Sequence, residues 1–140
     1  MTRSPDGPIF PIESPSLLFR HKIGYTLPVR VLGIDCGTEF TGYGVVDQLN
    51  DRDLHYVCCG TIKLSPKRPM PERLSQVNET LRNVIDEFHP DMVAIEDVFY
   101  AVNAKSALKL GQVRGVAMFT AAACGLQVAE YAPLSSSPPL

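Results

Sequence analysis

The chain has 140 residues, 45% of them hydrophobic and 20% charged, with a formal net charge of −2. That is ordinary globular composition with room for one core, and a polyanion site, if there is one, has to come from a local patch. No apolar run approaches membrane-spanning length, and no basic-then-apolar leader opens the chain, which reads as a cytoplasmic protein.

Residues 1–28 carry five prolines and no periodicity, and are expected to form a disordered extension. From Val29 the character changes. "VRVLGID" reads as a strand, and "TGYGVVDQ" and "LHYVCCGTIKL" as two more, separated by polar turns at 37–40 and 50–53. Three strands with short connections imply an antiparallel meander. "SPKRPMPERLSQVNETLRNVIDEFHP" then predicts a helix with Pro71 in its first turn, a stripe of Leu74, Val77, Leu81, Ile85 and Phe88, and a stop at Pro90. "DMVAIE" is a strand entered through a helix and should run parallel to a strand of the meander. A second helix is predicted from about Asn103 to Cys124, ending at Gly125, and "LQVAEYA" is a fifth strand. The order βββαβαβ makes this an α/β domain with a mixed sheet and flanking helices.

Cys36, Cys58, Cys59 and Cys124 form no CxxC pair, and His21, His55 and His89 lie far apart, so no zinc-ligand spacing exists. All four cysteines are expected to be reduced packing residues, with Cys58 and Cys59 pointing to opposite faces of one strand.

Chemistry concentrates at two strand ends. Alternation puts Val29, Val31, Gly33 and Asp35 on one face of the first strand, and Met92, Ala94 and Glu96 on one face of the fourth. If these strands are parallel neighbours, two carboxylates meet where α/β sheets place ligands. Bare, they repel; a divalent cation resolves the conflict, and Mg²⁺ suits an all-oxygen site completed by water and phosphate. Paired metals about 3.5–4 Å apart serve phosphodiester hydrolysis in this way. The competing reading makes Asp35 a turn residue before Gly37 and Glu96 a plain strand terminus.

"LGIDCGTEFTGYGVV", "VAIEDVFYAVNAKSALKLGQVRGVA" and "AEYAP" resemble the RuvC Holliday junction resolvases of bacteria, in order and spacing, over Val29 to Pro133. "NAKSALKLGQVRG" is the specific piece; "GIDCGT" alone is not. The resemblance implies an RNase H-like fold over 29–132 with an irregular tail at 133–140. It also implies a homodimer and Mg²⁺-dependent symmetric nicking of four-way junction DNA, with the RuvA and RuvB branch-migration proteins as partners. Asp35 and Glu96 correspond to two of the family's metal-binding catalytic carboxylates. Phe99 matches an aromatic that probes unpaired bases, and an exposed ring beside a phosphate site can stack on bases; core filling is its competing reading. Asn103 can cap the second helix, whose free N–H groups suit a phosphate, while Lys105 and Lys109, with Gln112, form a face that could meet DNA or simply be solvated. Leu108, Gly111 and Gly115 mark another face expected to pack closely. In "GTEFTGYG", Gly37, Gly42 and Gly44 are expected to permit tight turns and close backbone approach.

The chain also departs from the family's pattern. Cys36 stands where proline is common, and Val102 where a basic residue is common. Family members continue after the fifth strand into helices, the last of which brings further acidic residues; "LSSSPPL" stands there instead. The expectation is a C-terminally shortened chain with two carboxylates of the cluster, an uncovered sheet face, and no nicking by the isolated 140-residue polypeptide. Val29 stands where an initiating methionine belongs, and a GTG start would be written as valine. Residues 1–28 are therefore expected not to be made in the cell, which an intact mass that includes them would contradict.

Two other function classes remain. "GIDCGT" is also similar to the first phosphate loop of actin-like ATPases and sugar kinases, which need a second large domain; nucleotide binding without DNA would favour them. A non-catalytic remnant that binds junctions would bind without cutting.

Overall fold

A computed structural model describes residues 28–50, 53–97 and 103–131. Seven elements follow in the expected order: β1 (Val29–Asp35), β2 (Phe40–Gln48), β3 (Leu54–Lys63), α1 (Met70–Phe88), β4 (Met92–Glu96), α2 (Ala104–Ala123) and β5 (Gln127–Tyr131). They form one five-stranded sheet in the order β3-β2-β1-β4-β5. β1, β2 and β3 are antiparallel neighbours, whereas β4 joins β1 in parallel and β5 joins β4 in parallel. Each parallel step is made through a helix, as a crossover requires.

The alternation read from sequence decides the faces. Leu32, Ile34, Val45, Ile62, Val93 and Ile95 form one core with Val77, Leu81, Val84 and Ile85 of α1 and Val113, Ala117 and Ala121 of α2. The other face carries a row of small residues across the paired strands, Gly44, Gly33, Ala94 and Ala129, with Cys59 at its β3 end. Cys59 is exposed on this edge strand, so it is not a packing residue as expected; its sulfur accepts from the Tyr56 hydroxyl at 3.6 Å. All four cysteines are free thiols.

Local chemistry sets the ends of the elements. Pro71 lies in the first turn of α1, where a missing N–H is harmless. Arg73 is buried because its guanidinium donates to the carbonyls of Arg68 (2.9 Å) and Pro66 (2.6 Å), pinning the loop that enters the helix. α2 begins at Asn103, whose side chain accepts from the Ser106 N–H at 2.9 Å. It ends where Gly125 takes φ 85°, letting Leu126 N–H reach back to the Ala121 carbonyl at 3.0 Å. That turn directs the chain into β5.

One face of α2 departs from expectation. Leu108 is 65% exposed, Gly111 and Gly115 are exposed, and a Cβ built on either glycine would meet nothing within 4 Å. This face does not pack closely against anything among the described residues, because α2 spends its opposite side, Val113, Ala117 and Ala121, on the core.

Candidate metal and junction site

β1 and β4 run parallel with Ile34 opposite Ile95, so the next residue of each strand, Asp35 and Glu96, emerges side by side at their carboxyl ends. The two carboxyl groups are hydrogen-bonded to each other. That bond, then partial burial, then repulsion from Asp35 push the Glu96 pKa above its ordinary value of 4.5. Among the described residues, ion pairs join Arg30 to Asp47 and Arg114 to Asp97 and Glu130, and none reaches Asp35 or Glu96.

The turn after Asp35 is tightly built. A Cβ on Gly37 would collide with the Phe40 carbonyl oxygen, so only glycine fits there. Gly42 and Gly44 are under no such pressure: a Cβ on Gly42 would meet nothing within 4 Å, and one on Gly44 only ordinary contacts. The Thr41 hydroxyl, fully buried, donates to the Gly37 carbonyl at 3.2 Å and closes the turn. Cys36 is buried beside it, and burial pushes its thiol pKa up to about 11. The substitution of cysteine for proline is thus absorbed as an apolar, protonated side chain.

Tyr131 is paired with Glu96 across β4 and β5 and lies close enough to both carboxylates for their charge, after burial, to raise its phenol pKa. Asn103, Lys105 and Lys109 lie at the start of α2, with Asn103 and Lys105 exposed. Phe99 and Val102 fall outside the described residues. Sequence reasoning assigned no role to Tyr131, Asp97, Glu130 or Arg114; for Tyr131 the signal was present, since "AEYAP" was already part of the resemblance.

Two carboxylates side by side at the ends of parallel strands are a hard-oxygen donor pair, which fits a divalent ion of the Mg²⁺ type that keeps several waters. No group of three or more His, Cys, Asp and Glu side chains among the described residues could hold a metal. A cleft of about 280 Å³ at the other end of β1, lined by Arg30, Asp47, Glu87 and His89 among others, contains neither carboxylate.

The family described as crossover junction endodeoxyribonuclease RuvC matches residues 31–136. The chain belongs to the RuvC family. It is 55% identical over 107 residues to the RuvC of Koribacter versatilis, covering 76% of this chain and 64% of that one. Against the RuvC of Acidobacterium capsulatum it is 49% identical over 113 residues, covering 76% and 66%. The chain thus spans about two thirds of the length of these RuvC relatives. A structure of Thermus thermophilus RuvC in complex with Holliday junction substrate superimposes with a TM-score of 0.69 at 28% identity, over 76% of this chain and 66% of that one. The five-stranded mixed sheet with its two helices is the RNase H-like sheet of RuvC, and this membership sets aside the phosphate-loop reading of "GIDCGT". No helix among the described residues is long and apolar enough to cross a membrane.

Proposed function

We propose that this protein acts on four-way DNA junctions as a Mg²⁺-dependent endonuclease of the RuvC type, with Asp35 and Glu96 as the metal-holding, catalytic carboxylates. The observation that carries this reading is the meeting of those two carboxyls at the ends of adjacent parallel strands, in a chain of this family. When bound, the ion supplies an activated water and charge neutralisation at the phosphate. The chain's own part is to hold two carboxylate oxygens at a fixed spacing and to place them on a face of small residues. There Gly33, Gly44, Ala94 and Ala129 let a backbone approach.

DNA contacts come from α2 and the segment before it. Asn103 and the α2 N-terminus would meet a phosphate, Lys105 and Lys109 would neutralise the strand, and Phe99 would stack on a junction base. The partner of α2 is a second copy of the chain. Ala104, Leu108, Gly111, Gly115 and Phe119 fall on one stripe, opposite the residues the core takes, and Leu108 and Phe119 are 65% and 66% exposed. A helix that is apolar on two sides requires two partners. Pairing α2 with its symmetry mate would place two metal sites on one junction, the arrangement symmetric nicking needs.

Asp35 and Glu96 would supply two of the ion's oxygen ligands, with water and phosphate oxygens filling the other positions. The test is a gel shift with an immobile four-way junction and a linear duplex of the same arms, in Ca²⁺, with nicking scored after transfer to Mg²⁺. Junction binding at least about tenfold tighter than duplex binding is predicted. Equal affinity for both would contradict junction selectivity, and Mg²⁺-dependent nicks that persist in Asp35→Asn would contradict the role given to Asp35.

A further inference from the structure

The carboxylate pair occupies one face of the sheet, and behind it, on the helix-covered face, lies a partly buried cation. Strand alternation puts Asp35, Glu96 and Tyr131 on the first face and Cys36, Asp97 and Glu130 on the second. Arg114 of α2 reaches this second group. Its Nη2 donates to Glu130 Oε1 at 2.7 Å and lies 3.5 Å from Asp97 Oδ1, and the side chain is 19% exposed. The same guanidinium acts electrostatically on the Cys36 thiol, which follows Asp35. Arg114 therefore touches β5 and the end of β4, and stands near the end of β1.

These contacts bracket Glu96. Glu130 is paired with Ile95, the residue before it, and Asp97 is the residue after it. The Asp97 N–H donates to the Tyr131 carbonyl at 2.6 Å, extending the β4–β5 ladder one step past Glu96. Asp97 is thus held by its backbone to β5 and by its side chain to α2. Arg114 Nε is buried with no hydrogen-bond partner among the described residues. A buried donor left unpaired is unfavourable; the guanidinium bears that cost while Nη2 meets the two carboxylates and Nη1 the Met118 sulfur at 3.7 Å.

We infer that Arg114 is a positioning residue for the metal site, clamping the carboxyl ends of β4 and β5 from behind so that Glu96 keeps its place beside Asp35. This rests on the metal reading above. The clamp acts through geometry: no ion pair links Arg114 to Glu96 or Asp35. Both carboxylates are met by one nitrogen, Nη2, while Nη1 donates to the Met118 sulfur; a lysine would carry a charge but not this fixed guanidinium plane.

The experiment uses the whole chain, with Mn²⁺ as the probe, free Mn²⁺ measured by electron paramagnetic resonance, and amide exchange followed in parallel. Arg114→Gln should weaken Mn²⁺ binding by about tenfold or more, the usual effect of removing a supporting partner, while remaining folded by circular dichroism. Arg114→Lys should recover only part of the affinity. Glu130→Gln, a milder change that keeps the Asp97 contact, should show a smaller loss and serves if Arg114→Gln does not fold. The Asp97 amide should exchange about tenfold faster or more in Arg114→Gln, with the Leu32 and Ile34 amides unchanged. A folded Arg114→Gln chain with wild-type Mn²⁺ affinity overturns the inference, as does an unchanged Asp97 amide. If the wild-type chain shows no Asp35-dependent Mn²⁺ binding, the metal reading fails and so does a role toward it; the exchange data then report only whether the clamp exists.

Discussion

Asp35 and Glu96 end neighbouring parallel strands, and their carboxyls are joined by a hydrogen bond that makes Glu96 the group with raised proton affinity. Three causes act in the same direction: the bond to Asp35, then burial, then repulsion by the Asp35 charge.

This fixes a pH dependence. Glu96 titrates above its ordinary 4.5 in the folded chain, so folding takes up a proton that the unfolded chain has begun to release. The stabilisation from this group is complete below that ordinary value and is lost as pH rises through the raised one. Thermal unfolding in EDTA, followed upward from about pH 4, should show this loss in the wild type and not in Glu96→Gln. Adding Mg²⁺ near neutral pH should restore stability, since it binds the deprotonated pair.

The turn that holds Asp35 depends on Gly37. Gly37→Ala drives a methyl group into the Phe40 carbonyl, and the backbone has to move. A loss of about 1–3 kcal/mol in urea unfolding is expected, with weakened divalent-ion binding. Gly42→Ala, where a Cβ meets nothing within 4 Å, is the control and should differ little from wild type.

The exposed stripe on α2 predicts self-association. Replacing Leu108 and Phe119 together by glutamate should convert a dimer to a monomer in sedimentation velocity, with the circular dichroism spectrum retained, because neither side chain belongs to the intrachain core. A monomeric wild type at micromolar concentration would count against the stripe as an interface.

Thiol reactivity separates the cysteines. Cys36 is buried with its pKa raised to about 11, and Cys59 is exposed on the edge strand. A disulfide reagent near pH 8 should modify Cys59 quickly and Cys36 only on unfolding, since the thiolate is the reactive form. Mass spectrometry of tryptic peptides distinguishes the two.

Most of the architecture was legible in the residues. Alternation in "VRVLGID" and "DMVAIE" gave the faces, and a strand entered through a helix gave the parallel pairing that brings Asp35 to Glu96. The region behind the site was not legible. Arg114 is one basic residue on a helix, and nothing local distinguishes a solvated arginine from one aimed at β5; its partners depend on where the crossover sets that strand. The stripe of Leu108, Gly111 and Gly115 was read as packed because small residues often mark close approach, but its partner is not among the described residues. Cys59 was misread for a related reason: its strand lies at the sheet edge, and strand order cannot be seen in one strand's own sequence.

The most direct test of the account is an amide NMR spectrum of the wild-type chain, and of Asp35→Asn, during titration with Mn²⁺. The account predicts that substoichiometric Mn²⁺ broadens the signals of Asp35, Cys36, Glu96 and Asp97 first, and that Asp35→Asn abolishes this. Broadening that survives in Asp35→Asn, or that centres on Asp47, Glu87 and Asp91 at the other end of β1, would contradict it.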